Sequence, residues 1–343
     1  AVLAVDLLAD LPEPPGPLEV AAATFSSLLL ALGGVALTQR LARRFVPGPA
    51  SAVAQVALLY GSPLAYFTFV WPGYPHAASV FLAGLFLLVW AGGDSERAAS
   101  GLPEPAAEAP HSRSFLLGLL GGAMALVHPQ DILYLALPLV DLGAALRRLT
   151  PQGGSRGPGA AAVFRHGAFT GLGAALALAP QIAAWLITSG RFLPHVYAEI
   201  GDPFRWDRPA LWDVLFSSYN GLLTWTPLCG LAAGGIFLLR RARPRLFRGL
   251  LLLLLLEWWA IASYGYWWGG ASFGARYFLS VYPVLGVGLA LLVARAARRL
   301  GLLLAGLAVV PLVYWNLLLM AQFRLEWIRH NLPPDFPRAL RRQ

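Results

Sequence analysis

Apolar residues fill runs that recur along the whole chain, several near the ~20 residues an α-helix needs to cross a bilayer. Short polar joints carrying Arg, Gly and Pro separate them. The pattern predicts about ten spans, at 20–39, 50–70, 76–92, 114–128, 131–147, 167–188, 219–239, 249–268, 277–294 and 300–321. The third, fourth and fifth sit at or below the ~17-residue lower limit, which points to broken, tilted or re-entrant segments. The expected fold is all-α, a polytopic transmembrane helical bundle forming a single membrane domain over residues 1–343.

Composition excludes a soluble globular domain. Hydrophobic residues make up 57% of the chain and charged ones 13%, where soluble domains carry roughly a quarter charged, and mean hydropathy is +0.61. The net charge of +9 does not indicate nucleic acid. Its basic residues, 26 Arg and no Lys, form short clusters at the ends of apolar runs, with no basic patch of interleaved aromatics. The joints at 40–44, 240–248 and 295–299, together with Arg147, Arg148, Arg156 and Arg165, alternate with Arg-poor loops. The positive-inside rule makes these joints cytoplasmic. Ala1, the loops at 71–75, 129–131, 189–218 and 268–276, and the C-terminal tail then lie outside.

The joints at 92–113 and 149–164, rich in Gly, Pro, Ala and Ser, read as disordered cytoplasmic linkers. Residues 1–19 form an acidic, Pro-rich outer segment. With no basic n-region they are not a signal peptide, and a truncated N-terminus is expected. In the outer loop 189–218, Trp206, Trp212 and Phe216 lie among charges, the pattern of an interfacial helix on the outer face. An aromatic belt anchoring the next span would carry the same tryptophans. There is no internal repeat of the kind many transporters show. Cys229 has no partner for an internal disulfide, and no Cys or His spacing fits a metal site.

Candidate chemistry gathers in the outer loops. In WWGGASFGARYF, residues 267–278, Gly269, Gly270 and Gly274 permit tight turns just before a span. Ser272 is placed to cap the following helix, whose first-turn amides face outward, and Arg276 adds a planar cation suited to phosphate. Arg276, Ser272 and Gly274 are the expected phosphate-binding residues; the plainer alternative is a capped helix with Arg276 snorkelling to ordinary headgroups. WPGYPHAA, residues 71–78, sets His76 at the start of a span, and HPQD, residues 128–131, places His128 and Asp131 at a hinge. On this topology His76, His128 and Asp131 line one outer cavity with Arg276. Glu257 follows seven leucines and is an intramembrane acid, either a proton or ion site or an interhelical hydrogen-bonding residue. Asp6, Asp10, Glu13 and Glu19 match no metal-loop spacing.

Several of these segments carry a resemblance. Gly61-Ser-Pro-Leu-Ala-Tyr-Phe67, Tyr74-Pro-His-Ala77, His128-Pro-Gln-Asp131, Gly221-Leu-Leu-Thr-Trp-Thr-Pro227 and Trp267-Trp-Gly-Gly-Ala-Ser-Phe-Gly-Ala-Arg276 run in order through residues 20–321. Together they resemble the bacterial polytopic glycosyltransferases of the GT-C superfamily, in the family 39-like group related to protein mannosyltransferases and lipid A aminoarabinose transferases. The resemblance implies transfer of a sugar from a polyprenyl-phosphate donor to a glycan, lipid or protein acceptor at the outer face of the bacterial inner membrane. In that family an acid in the first external loop is the general base, and cations, sometimes with a divalent metal, stabilise the departing phosphate. This sequence departs from the pattern in two places. No paired acids stand near its start, so the catalytic base is expected upstream of residue 1, and neither Asp6 nor Asp10 is assigned to it. His128 stands where many relatives carry Arg.

Two other classes compete with this expectation. A transporter or lipid flippase would use Glu257 for coupling and the outer cavity as a gate. A non-catalytic member of the same fold would bind the polyprenyl lipid without transfer.

Overall fold

A computed structural model describes residues 16–100, 111–147, 160–192 and 204–328, without the side chains of 93–100 and 147. Every regular element among the described residues is helical, and the sole β pairing is an isolated bridge between Phe204 and Tyr264. Five helices are long and apolar enough to cross a membrane: Pro17–Arg43, Ala160–Ser189, Pro244–Ser263, Arg276–Leu300 and Leu302–Arg324. Four more, Pro49–Tyr60, His76–Gly92, His111–Val127 and Pro227–Leu239, are apolar but shorter. The chain therefore has the make-up of an integral membrane protein.

In chain order the helices are α1 (Pro17–Arg43), α2 (Pro49–Tyr60), α3 (His76–Ser100), α4 (His111–Val127), α5 (Ala136–Arg147) and α6 (Ala160–Ser189). There follow α7 (Leu211–Phe216), α8 (Leu222–Trp225), α9 (Pro227–Gly235), α10 (Pro244–Ser263), α11 (Tyr282–Leu300), α12 (Leu302–Leu307) and α13 (Val310–Arg324). Proline opens α1, α2, α9 and α10, where its missing N–H costs no helical bond. Proline and glycine also explain why several expected spans are interrupted. The span at 50–70 ends as an α-helix at Tyr60, where Gly61 closes it, and resumes after Pro63 as a π-turn, Tyr66–Val70. The span at 131–147 begins as a 3-10 turn, Pro129–Leu135, and only then becomes α5. The span at 219–239 is divided into α8, α9 and a last 3-10 turn, Ile236–Leu239.

Other boundaries move as well. α3 continues through Ser100 and α6 starts at Ala160, so both ends taken as linker are helical; residues 101–110 and 148–159 lie outside the described part. Glu19 belongs to α1, where its carboxylate accepts from the Gly16 N–H at 3.0 Å, and residues 1–15, with Asp6, Asp10 and Glu13, lie outside. Of the loop at 189–218, residues 193–203 lie outside the described residues. The expected interfacial element is the short α7, with Trp212 75% and Phe216 52% exposed.

The chain divides into two compact units, one over Leu85–Pro194 and the other over Gly16–Gly84 with His195–Gln343. In the first, α4 and α6 meet without side chains between them. A Cβ at Gly118 would strike the Thr170 carbonyl, and one at Gly173 the Phe115 carbonyl. Close backbone approach of this kind drives helix pairing in lipid, where burying apolar surface gains nothing. Arg113 binds the carbonyls of Val89 and Trp90, and the Trp90 indole donates to Asp141 at 2.9 Å. In the second unit, α11 is the central helix and packs on α1, α2 and α9. A Cβ at Gly288 would strike the Ala232 carbonyl, and Gln55 on α2 donates to the Gly286 carbonyl at 3.1 Å. The Arg276–Leu300 span is 78% buried in its apolar window, and Ala160–Ser189 only 6%.

Candidate functional site

The second unit holds the site. α10 stops at Ser263, and residues 264–275 form a turn-rich loop before the 3-10 turn Arg276–Val281 that leads into α11. Gly269, Gly270 and Gly274 take φ of 73°, 68° and 63°, a region that side chains with a Cβ rarely adopt. Space matters there too: a Cβ at Gly270 would strike the Tyr266 hydroxyl, and one at Gly274 would meet Pro63 at 2.9 Å. Beneath the loop, the fully buried Phe273 stacks on Tyr66 with centroids 5.0 Å apart and presents its edge to Trp225 and Phe323.

A second strained residue locks the loop from outside. Asn220, just before α8, holds φ 60° and is 3% exposed. Its Nδ2 donates to the carbonyls of Trp268, at 2.7 Å, and Ser272, at 3.1 Å. One amide thus ties both ends of the glycine turn. Asn is the residue besides Gly that tolerates the left-handed region best, so the Asn220-Gly221 pair was the sequence signal for this lock.

Arg276 is the charge on this scaffold. Its guanidinium carbon lies 5.3 Å from the ring centroids of both Tyr74 and Tyr277, within cation–π reach of each. The Nε is buried and makes no hydrogen bond, and no carboxylate pairs with the guanidinium among the described residues. Gly269 makes room for it: a Cβ there would meet Nε at 3.0 Å. His76 also stacks on Tyr74, parallel to it at 5.8 Å, 2% exposed and edge-on to Phe67 at 4.7 Å. The structure thus brings His76 and Arg276 together through Tyr74, a bridging role that sequence reasoning did not assign. Tyr219 stacks on Trp268, with ring centroids 6.2 Å apart.

Ser272 does not play the expected part. The residue preceding the turn at Arg276 is Ala275, and no side chain caps it. The Ser272 N–H binds the Gly270 carbonyl at 2.7 Å, and its own carbonyl accepts from Asn220. The opening six-residue 3-10 turn also directs no run of α-helical amides outward. Of the three residues expected to bind phosphate, Arg276 alone brings a charge, and Ser272 and Gly274 shape the loop.

His128 and Asp131 belong to the other compact unit. His128 is half-buried at the head of the Pro129–Leu135 turn, and Asp131 is fully buried within it, its N–H bound to the His128 carbonyl at 2.9 Å. Glu257 is likewise fully buried, on α10 in the second unit. No group of three His, Cys, Asp or Glu side chains among the described residues could hold a metal. Comparison with family models, curated proteins and solved structures gives no match for this chain.

Proposed function

We propose that this chain is a membrane glycosyltransferase that takes a sugar from a polyprenyl-phosphate donor, with Arg276 binding the phosphate. The supporting observation is the state of Arg276: half-buried, within cation–π reach of two tyrosine rings, its Nε without an acceptor and no carboxylate neutralising it. A buried cation without a counter-ion is costly, and a phosphate would supply both the charge and the missing acceptor. The transferase chemistry rests on the resemblance of the ordered motifs from Gly61 to Arg276. The same reading has the chain crossing a bacterial inner membrane about ten times, the interrupted helices counting as broken spans, with the Arg276 loop outward and α7 at the interface. Polyprenyl phosphate leaves as the anomeric carbon is attacked, and Arg276 stabilises the charge growing on it.

The test is donor binding and sugar transfer by the purified full chain. Arg276→Ala should lower transfer about a hundredfold, the scale for losing one donor to a developing oxyanion. Arg276→Lys should recover little, since an ammonium lacks the planar fork that stacks on aromatic rings. Unchanged binding and transfer in Arg276→Ala would remove the assignment.

The buried carboxyl of Glu257, directly after a run of seven leucines on α10, favours a second reading, a proton- or ion-coupled transporter or lipid flippase. Substrate movement in liposomes, abolished by Glu257→Gln, would support it.

A further inference from the structure

We infer that Tyr219, Tyr266 and Trp268 form a platform for the pyranose ring of the lipid-linked sugar whose phosphate Arg276 holds. This rests on the phosphate reading above. The three rings form one cluster: Tyr219 lies nearly parallel to Trp268 at 6.2 Å, and Tyr266 tilts against it at 4.7 Å. All three are half-buried, outside the packed core and open on part of their surface. Trp267 stands at right angles to Trp268 at 5.7 Å and closes the cluster on another side.

The cluster is fixed before any ligand arrives. Asn220 grips the Trp268 carbonyl from a strained backbone position next to Tyr219, so the two stacked rings are set by adjacent anchors. Aromatic rings already held in place lose little entropy on binding. A plain membrane anchor has no need of such a lock, since belt tryptophans work through partition rather than geometry.

Two features select a sugar over an acyl chain. The exposed part of these half-buried rings offers apolar area of the kind a pyranose C–H face covers. The Tyr266 hydroxyl stands in the same cluster, against Gly270, and its O–H would bond a rim hydroxyl of a sugar, which a hydrocarbon chain does not offer. Placement selects the donor's sugar. Trp268 precedes Gly269, and Gly269 is the residue against which the Arg276 Nε lies. Adjacent Cα atoms are about 3.8 Å apart, and a glycosyl phosphate carries its ring one oxygen from the phosphorus. A ring joined to a phosphate at Arg276 thus starts beside Gly269, one residue from Trp268 in the chain.

The experiment uses the full chain purified in an amine-oxide detergent, free of sugar and phosphate. Binding is measured for decaprenyl phosphate alone and for the same lipid carrying mannose, glucose or arabinose. The expected result is that at least one glycosylated lipid binds about tenfold tighter than the bare one. Trp268→Ala should reduce that ratio to near one without weakening the bare lipid, Trp268→Phe should keep most of it, and the Tyr219→Phe, Tyr266→Phe pair should lose part of it. Arg276→Ala should weaken every lipid alike. A ratio near one in the wild-type protein, or a ratio untouched in Trp268→Ala, overturns the platform while leaving the phosphate site standing. Bare-lipid binding that Arg276→Ala leaves intact overturns both. Trp268-dependent binding of octyl glucoside, without a gain for any glycosylated lipid, moves the platform to the acceptor and overturns the donor assignment.

Discussion

At the scale of single residues, Asn220 is the most demanding position in the second unit. It sits in a region costing roughly 1–2 kcal/mol for a residue with a Cβ, and its side chain satisfies two carbonyls of the loop. Asn220→Ala removes both bonds and keeps the strain, and should destabilise the chain by about 2–4 kcal/mol. Asn220→Gly loses the same bonds but relieves the backbone, so its loss should be smaller by about 1 kcal/mol. Thermal unfolding in detergent would measure both; equal losses would mean that the backbone at 220 is not strained. Arg276 and its glycines were legible in the sequence because glycine beside a cation reports a turn and a charge at once. The bridging of Arg276 to His76 by Tyr74 was not. It depends on Arg276 meeting a pair of rings, Tyr74 and His76, some two hundred residues away in the chain, which no local pattern encodes.

At the scale of elements, length and apolarity placed helices where the chain has them, but not their ends. Span boundaries read from hydropathy ignore the proline and glycine that break a helix from within. Residues 50–70 look continuous on hydropathy, yet Gly61 and Pro63 stop α2 and force a new start at Tyr66. Serine is also a weak guide to a cap: Ser272 lies three positions before the residue that precedes the turn. Packing distinguishes glycines that look alike in sequence. Gly288 on α11 faces the Ala232 carbonyl of α9 at backbone contact, whereas Gly171 on α6 has nothing near it. Gly288→Val should cost about 3 kcal/mol or prevent the pair from closing. Gly171→Ala should be neutral or stabilise by about 0.5 kcal/mol. Comparable losses at the two positions would show that α9 and α11 do not meet through their backbones.

At the scale of the whole molecule, the distribution of arginine governs orientation. Seventeen of the 26 arginines fall in one set of alternate joints, and five of the remaining nine lie beyond residue 321. Moving an arginine-rich joint across a bilayer is disfavoured, so the proposed topology keeps those joints on the cytoplasmic side. The 240–248 joint runs into the first residues of α10 (Pro244–Ser263) and the Arg276 loop follows its last, so the two lie at opposite ends of a helix whose 20 residues rise about 30 Å. On the proposed topology, in which α10 crosses, they open to opposite sides of the membrane. The chain allows a direct measurement, because its single cysteine, Cys229, is 3% exposed and can be replaced by alanine to give a silent background. In that background, Ala271→Cys in the loop and Ala242→Cys in the joint each place a thiol at an exposed position. An impermeant maleimide added to intact cells or right-side-out vesicles should label position 271 at once, and position 242 only after permeabilisation. The reverse pattern would turn the Arg276 site to the cytoplasm, and with it the face from which a lipid-linked sugar must be presented. Labelling of both before permeabilisation would mean that α10 does not cross, and a phosphate at Arg276 would then have to come from a surface rather than from within the span.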